Sequence, residues 1–356
     1  MTRFASGLDP AARWGDRRGG AVRHRTPAVL VLLALVLPLR SDLAPGASIA
    51  GVVSHRDSVP EPLRGKGRWG AVGDGEAPFP VRLDDEAIHF AVTFHTLLPG
   101  ETVSVEAPAD TEPRADGGRL VARAPGRWVW IAPDVPGIRW LRLRNAGGAS
   151  VDVALLVLHP VRRTAGEVLN GYRIGTYRST PLRGDPTYLP PGGFVEVRPE
   201  DEDIRISPHF TLGEFLCKQP GDPRYLALSR PLVEKLELLL GAANAAGIPA
   251  SGLTVMSGFR TPFYNRSIGN TTDYSRHLWG DAADVFIDED GDGEMDDLNG
   301  DGARNVADAR LLARVVEGLS ARAPEGYEPG GLAVYRRNPV HGPFVHVDAR
   351  GVRARW

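Results

Sequence analysis

Between Phe79 and Pro160 the chain alternates short apolar runs with turn residues, and this pattern constrains its fold more than any other feature. The runs are IHFAVTF, TVSVEA, RLVARA, RWVWIA, IRWLRLRN and SVDVALLVLHP. Each has strand rather than helix length, and Gly, Pro, Asp and Asn punctuate the intervals. Leu141 and Leu143 alternate with Arg142 and Arg144, so one face of that strand is apolar and the other solvated. The spacing predicts a small all-β, sandwich-like domain over 76–160. Trp128, Trp130 and Trp140 are expected as inward-facing aromatics of its core rather than as a sugar-binding stripe.

At 356 residues the chain exceeds what one hydrophobic core usually supports, which predicts two folded domains with linkers. Residues 51–75, rich in Gly, Pro, Ser and charge, read as a linker, and 161–205 as a β-rich connecting segment. From 206 to 356 the pattern becomes mixed. Thr211 and Glu214 form a capping-box pattern that predicts a helix start. Ser229 and Pro231 open LVEKLELLLGAANAAG, in which Leu232, Leu236, Leu239, Leu240 and Ala243 share a face before Gly247. LTVMS, AADVFID, LAVYRR and FVHVDAR read as strands, giving an α+β domain.

The amino terminus has six arginines, from Arg3 to Arg25, ahead of the uncharged run PAVLVLLALVLPL. Thirteen residues at ~1.5 Å rise span ~20 Å, short of a ~30 Å hydrocarbon core. Residues 1–50 are therefore expected to be a signal peptide or N-terminal anchor, with small residues ending at Ala50 as a cleavage site. Export to the periplasm or cell envelope follows, with membrane contact only through this segment if it is retained. With 42 Lys+Arg against 44 Asp+Glu, no cationic excess draws the chain to nucleic acid. The single cysteine, Cys217, excludes an internal disulfide and reads as a small buried hydrophobe. No sequence feature specifies an oligomeric state.

Any metal must then be held by histidine and carboxylate. Three segments supply them: SGFRTPFYN (257–265), SRHLWGDAADVFID (275–288) and HGPFVHVDARG (341–351). His277 and Asp284 lie seven apart across a Gly-containing turn that enters a strand. On FVHVDAR, alternation gives His346 and Asp348 one face and Val345 and Val347 the core. Two histidines and one aspartate suit Zn²⁺, and three protein ligands leave a fourth tetrahedral position for a water whose pKa the ion lowers toward neutrality.

SRHLWGDAAD is similar to the zinc motif of the D-Ala-D-Ala carboxypeptidases and murein endopeptidases, which share a fold with lysostaphin-type peptidases and the hedgehog signalling domain. The resemblance covers about 206–356, with all three segments in order, and implies His277, Asp284 and His346 as zinc ligands. SGFRTP resembles the family's arginine segment, which implies that Arg260 faces the peptide's carboxylate or scissile carbonyl. The ending FVHVDARGVRARW is most similar to the murein endopeptidase branch. Many members carry an acid three residues before the last ligand, where this chain has Pro343. Asp348 and His341 are the remaining candidates for general base; Asp348 has a second possible role, orienting His346. The implied activity is zinc-dependent hydrolysis of amide bonds in peptidoglycan peptides. A non-catalytic zinc-containing wall-binding or scaffold protein is the alternative.

An acidic insert occupies 288–308. In DLNGDGARNVAD, Asp297, Asn299, Asp301, Asn305 and Asp308 have the spacing of calcium-loop donors, with Gly302 at the sharp turn, and the segment resembles dockerin-type loops. Asp288, Asp290 and Asp292, with Asp296, offer a second, partial cage that overlaps the first at Asn299.

Overall fold

The computed structural model describes residues 61–71, 73–161 and 167–356; the signal-like segment 1–50 lies outside them. No helix among the described residues is long and apolar enough to cross a membrane. The protein is α+β, dominated by strands in several sheets with few helices.

The amino-terminal part is built of β1 (Glu76–Leu83), β2 (Glu86–Phe90), β3 (Val92–Leu97), β4 (Thr102–Glu106), β5 (Glu112–Ala115), β6 (Arg119–Ala124), β7 (Arg127–Ile131), β8 (Gly137–Arg144) and β9 (Ser150–Val157). One sheet runs β2-β1-β4-β7-β6 and the other β3-β9-β8-β5. The run IHFAVTF is not one strand. It breaks at Ala91, whose amide donates to Gly75 O and whose carbonyl accepts from Asp152, so the chain leaves the first sheet and joins the second. There β3 pairs with β9 in parallel.

Leu83, Val103, Val105, Trp130, Leu141, Leu143, Val151 and Val153 fill the space between the sheets at full burial. Trp128 and Trp130 point into this core as expected. Trp140 does not: with Phe94, Ala154 and Leu156 it belongs to the larger core of the carboxy-terminal part. Both faces of the β3-β9-β8 sheet are therefore covered, which explains why every residue from Val151 to Val157 is buried.

Of the 51–75 stretch, 51–60 and 72 lie outside the described residues, and the rest is not a free linker. Arg205 N donates to Leu63 O and Trp69 N to Ser251 O, while Lys66 Nζ reaches Glu214 Oε1 at 2.8 Å. Trp69 packs 5.5 Å from the buried His209 ring, which Glu237 holds at 2.6 Å. The segment is a strap across the carboxy-terminal part.

That part rests on α1 (Arg230–Ala245), α2 (Pro262–Ser267) and α3 (Val306–Arg322). In α1 the expected face is the buried one: Leu232, Leu236, Leu239, Leu240 and Ala243 are each at most 1% exposed. The Thr211/Glu214 capping box forms, but it opens a four-residue 3₁₀ turn and not an α-helix. Phe259 N bonds Phe215 O at 2.9 Å, taking the carbonyl that a continuing helix would need. The sheet is ordered Thr254–Ser257, Ala282–Phe286, Phe344–Asp348, Gly331–Tyr335, Ala354–Arg355. Its central antiparallel register sets Asp284 opposite His346, placing two chemically active side chains side by side on neighbouring strands.

Candidate metal centre and its cleft

His277 reaches this pair from a 3₁₀ turn, Arg276–Trp279, that ends in Gly280 at φ +69°. A Cβ at Gly280 would lie 1.9 Å from Ala227 O, so only glycine permits the chain to turn there and enter the Asp284 strand. Arg276 and Asp281 bracket the turn with a buried ion pair at 2.8–2.9 Å. The 161–205 segment buttresses it: Tyr177 Oη donates to Leu278 O, and Trp279 Nε1 donates to Leu189 O. Tyr188 stacks beneath the Arg276 guanidinium at 4.4 Å.

Each predicted ligand has one atom committed to its support and one left facing the centre. His277 Nδ1 donates to Gly258 O at 2.7 Å, leaving Nε2. His346 Nε2 faces Asp348 Oδ2 at 3.4 Å, leaving Nδ1. Arg260 donates to Asp284 Oδ2 at 2.5 Å, leaving Oδ1. The three remaining atoms are separated by 3.2 Å (His277–His346), 3.3 Å (His277–Asp284) and 2.9 Å (His346–Asp284). A tetrahedral ion with bonds of ~2.0–2.1 Å requires donor separations of about 3.3 Å, so the set fits such an ion. All three residues are buried.

The protonation pattern favours ligation at His277 and Asp284. Burial lowers the His277 pKa, outweighing the nearby Asp284 carboxylate, and a neutral ring is what a metal needs. Burial alone would raise Asp284, but the two histidines hold it far below the usual carboxylate range. His346 is raised despite burial, through hydrogen bonds to Asp284 and Asp348.

Of the two roles considered for Asp348, the geometry places it as the support of His346. It is fully buried, and its carboxylate accepts from Gly331 N at 2.7 Å and Arg350 Nε at 2.8 Å. Burial would raise its pKa, yet these bonds keep it ionised, and it does not line the cleft over the centre. His341 does line it. Its Nδ1 donates to Gly342 O, and its Nε2 accepts from Asn338 Nδ2 at 2.7 Å. Arg260, expected to face substrate, lines the cleft but is engaged by Asp284 and by Ser257 Oγ at 2.8 Å.

The cleft holds about 550 Å³. One wall is aromatic: Phe344 and Tyr335 stack at 4.6 Å, His341 meets Phe344 edge-on, and Trp356 lies 5.2 Å from the His346 ring. Tyr274, stacked on Trp279, forms the other. Sequence reasoning missed Arg276, Asp281, Tyr274, Tyr335, Arg350 and Trp356. Arg276 and Asp281 lie inside the zinc-like motif and were within its reach. Tyr335 and Trp356 enter the cleft only through strand order, which no local pattern reveals.

In the acidic insert the two loops repeat one geometry nine residues apart. Asp288 accepts from the amides of Gly291, Asp292 and Gly293; Asp297 accepts from those of Gly300, Asp301 and Gly302. Among the described residues, the carboxylates of the insert that converge are Asp288, Asp290 and Asp296, in the partial cage. Asn305 and Asp308 cap α3, with Asn305 Oδ1 on Ala307 N and Asp308 Oδ2 on Asn305 N, both at 2.8 Å. Asn299 Oδ1 and Asp301 Oδ1 accept local amides. Arg304 pairs with Asp290 at 2.5 Å and also with Asp292.

Comparison with known family models, curated proteins and solved structures finds no match.

Proposed function

We propose that this protein is an exported zinc peptidase of the cell envelope that hydrolyses amide bonds in peptidoglycan stem peptides or cross-links, through a hedgehog/D-Ala-D-Ala-peptidase-like domain over 206–356. The observation that carries the reading is the convergence of His277 Nε2, Asp284 Oδ1 and His346 Nδ1 at tetrahedral spacing on the floor of an open cleft. A bound zinc ion supplies Lewis acidity for activating water and polarising a carbonyl. The chain supplies the rest. Asp348 and Gly258 O fix the two imidazoles, Arg260 fixes the carboxylate, and His341 is the proton carrier at Nε2 once Asn338 yields that atom. Calcium in the 288–308 insert has a structural part, neutralising the converging carboxylates.

One observation favours a second reading. Apart from Asp284, the residues lining the cleft include no carboxylate, so a zinc-containing wall-binding protein without turnover also suits the site. Hydrolysis of purified muropeptides by the zinc-loaded protein separates the two. Release of new amines by the unmutated protein, abolished in His277→Ala and reduced at least ~100-fold in His341→Ala, supports the peptidase. Full zinc occupancy with no release supports the binding protein.

A further inference from the structure

Among the described residues only two Phe, Tyr or Trp rings are exposed, Tyr335 at 38% and Trp356 at 58%. Both line the cleft over His277, Asp284 and His346, and Trp356 Nε1 donates to Tyr335 Oη at 3.2 Å. Ring surface left in water is unfavourable, so two adjoining exposed rings in a concave site mark a surface that a ligand covers.

Both rings are held in place. Tyr335 stacks on Phe344 at 4.6 Å and 9°, so its exposed surface is what Phe344 leaves uncovered. Trp356 follows the edge strand Ala354–Arg355, which pairs in parallel with Gly331–Tyr335. Glu317 clips that strand through Arg355 Nε at 2.6 Å. A Cβ at Gly331 would lie 2.8 Å from Trp356 Cη2, so glycine there makes room for the indole. A fixed plate binds without the entropy cost of ordering it.

The other side of the cleft carries Asn270, Thr272 and Ser275 from the loop of Tyr274, all neutral donors or acceptors. Asn270 Oδ1 accepts from Thr272 N at 2.9 Å, which leaves its Nδ2 to donate. Rings on one side and neutral hydrogen-bonding groups on the other suit a ligand with an apolar face and a polar rim. A pyranose ring has that form: its C–H face carries the partial positive charge that a π face attracts, and its hydroxyl and acetamido groups point outward. Stem-peptide side chains are short or charged and would leave the rings uncovered.

Resting on the peptidase reading for the peptide, we propose that Trp356 and Tyr335 form a plate that stacks a pyranose ring of the wall glycan. The stem peptide is recognised together with the sugar that carries it.

Two probes with one stem-peptide sequence test this, the first still joined to its N-acetylmuramic acid disaccharide and the second released from it. The zinc-loaded full chain should cleave the sugar-bearing probe with kcat/KM at least about tenfold above the free peptide, the size of one ring contact. Trp356→Ala at full zinc occupancy should bring that ratio to within about twofold of one, and Trp356→Phe, which keeps a ring, should retain most of it. A ratio near one in the unmutated protein, or a ratio that survives Trp356→Ala, overturns the proposal. If neither probe is cleaved, the peptidase reading fails, and calorimetric titration with the peptide-free disaccharide, which needs no turnover, decides the plate. Binding weakened about tenfold by Trp356→Ala supports it, and binding that is absent or indifferent to the substitution overturns it.

Discussion

At the scale of single residues, the candidate centre shows how many contacts are spent on orienting three side chains. Asp348 makes no approach to the cleft, yet it fixes which nitrogen of His346 faces Asp284. Asp348→Asn should therefore weaken zinc binding ~10 to 100-fold, measured by competition with a chromogenic chelator; unchanged affinity would remove Asp348 from the support of the ligand. A second residue-scale expectation concerns Glu234. Burial pushes its pKa up to about 7, with Arg230 opposing and Glu86 adding to the rise, and its Oε1 has no hydrogen-bond partner. A carboxyl raised on folding stabilises the native state in its protonated form. That contribution is complete below the unfolded pKa near 4.5 and is lost as pH rises through about 7. Glu234→Gln should thus gain on the unmutated protein by on the order of 3 kcal/mol between pH 4 and pH 8. Denaturant unfolding at the two pH values is the check, and a pH-independent difference between the two proteins would contradict it.

At the scale of elements, local sequence signals succeeded where the element is fixed by its own residues. The α1 face, the Leu141/Leu143 alternation and the four carboxy-terminal strands were all legible, because period and burial are properties of a short segment. The failures share a cause. The Thr211 capping box has its sequence signature, but a tertiary bond from Phe259 to Phe215 O ends the helix after one turn. IHFAVTF has strand composition throughout, but Ala91 divides it between sheets. In the insert, donor spacing was legible, whereas the capping of α3 by Asn305 and Asp308 was not read from it, since cap and calcium loop use the same residue types. Calcium at ~100 times its Kd should add ~2.7 kcal/mol to stability. Thermal unfolding with and without calcium tests this, and Asp288→Ala with Asp290→Ala should abolish the response. A melting temperature indifferent to calcium would leave the insert a solvated acidic loop.

At the scale of the whole molecule, the sandwich and the part that carries His277, Asp284 and His346 share a core. Trp140, 2% exposed, packs there with Phe94 and Leu156 among carboxy-terminal residues. Trp140→Ala should cost about 3–5 kcal/mol and melt both parts together. Separate transitions in calorimetry would show two independent domains. This continuity was not readable in sequence, because a strand buried on both faces looks like any apolar run. It also dictates that function be tested on a chain retaining 61–356 and not on 206–356 alone. The central claim is that the His277, Asp284 and His346 centre hydrolyses peptide bonds of the wall. Hydrolysis places one solvent oxygen in each new carboxylate. The most direct measurement is therefore mass spectrometry of peptidoglycan digested in ¹⁸O-water by the zinc-loaded chain, beside His277→Ala. The account predicts stem-peptide fragments carrying a single ¹⁸O at each new carboxyl end, absent with the variant; unlabelled, uncut peptidoglycan from a protein holding a full equivalent of zinc would contradict it.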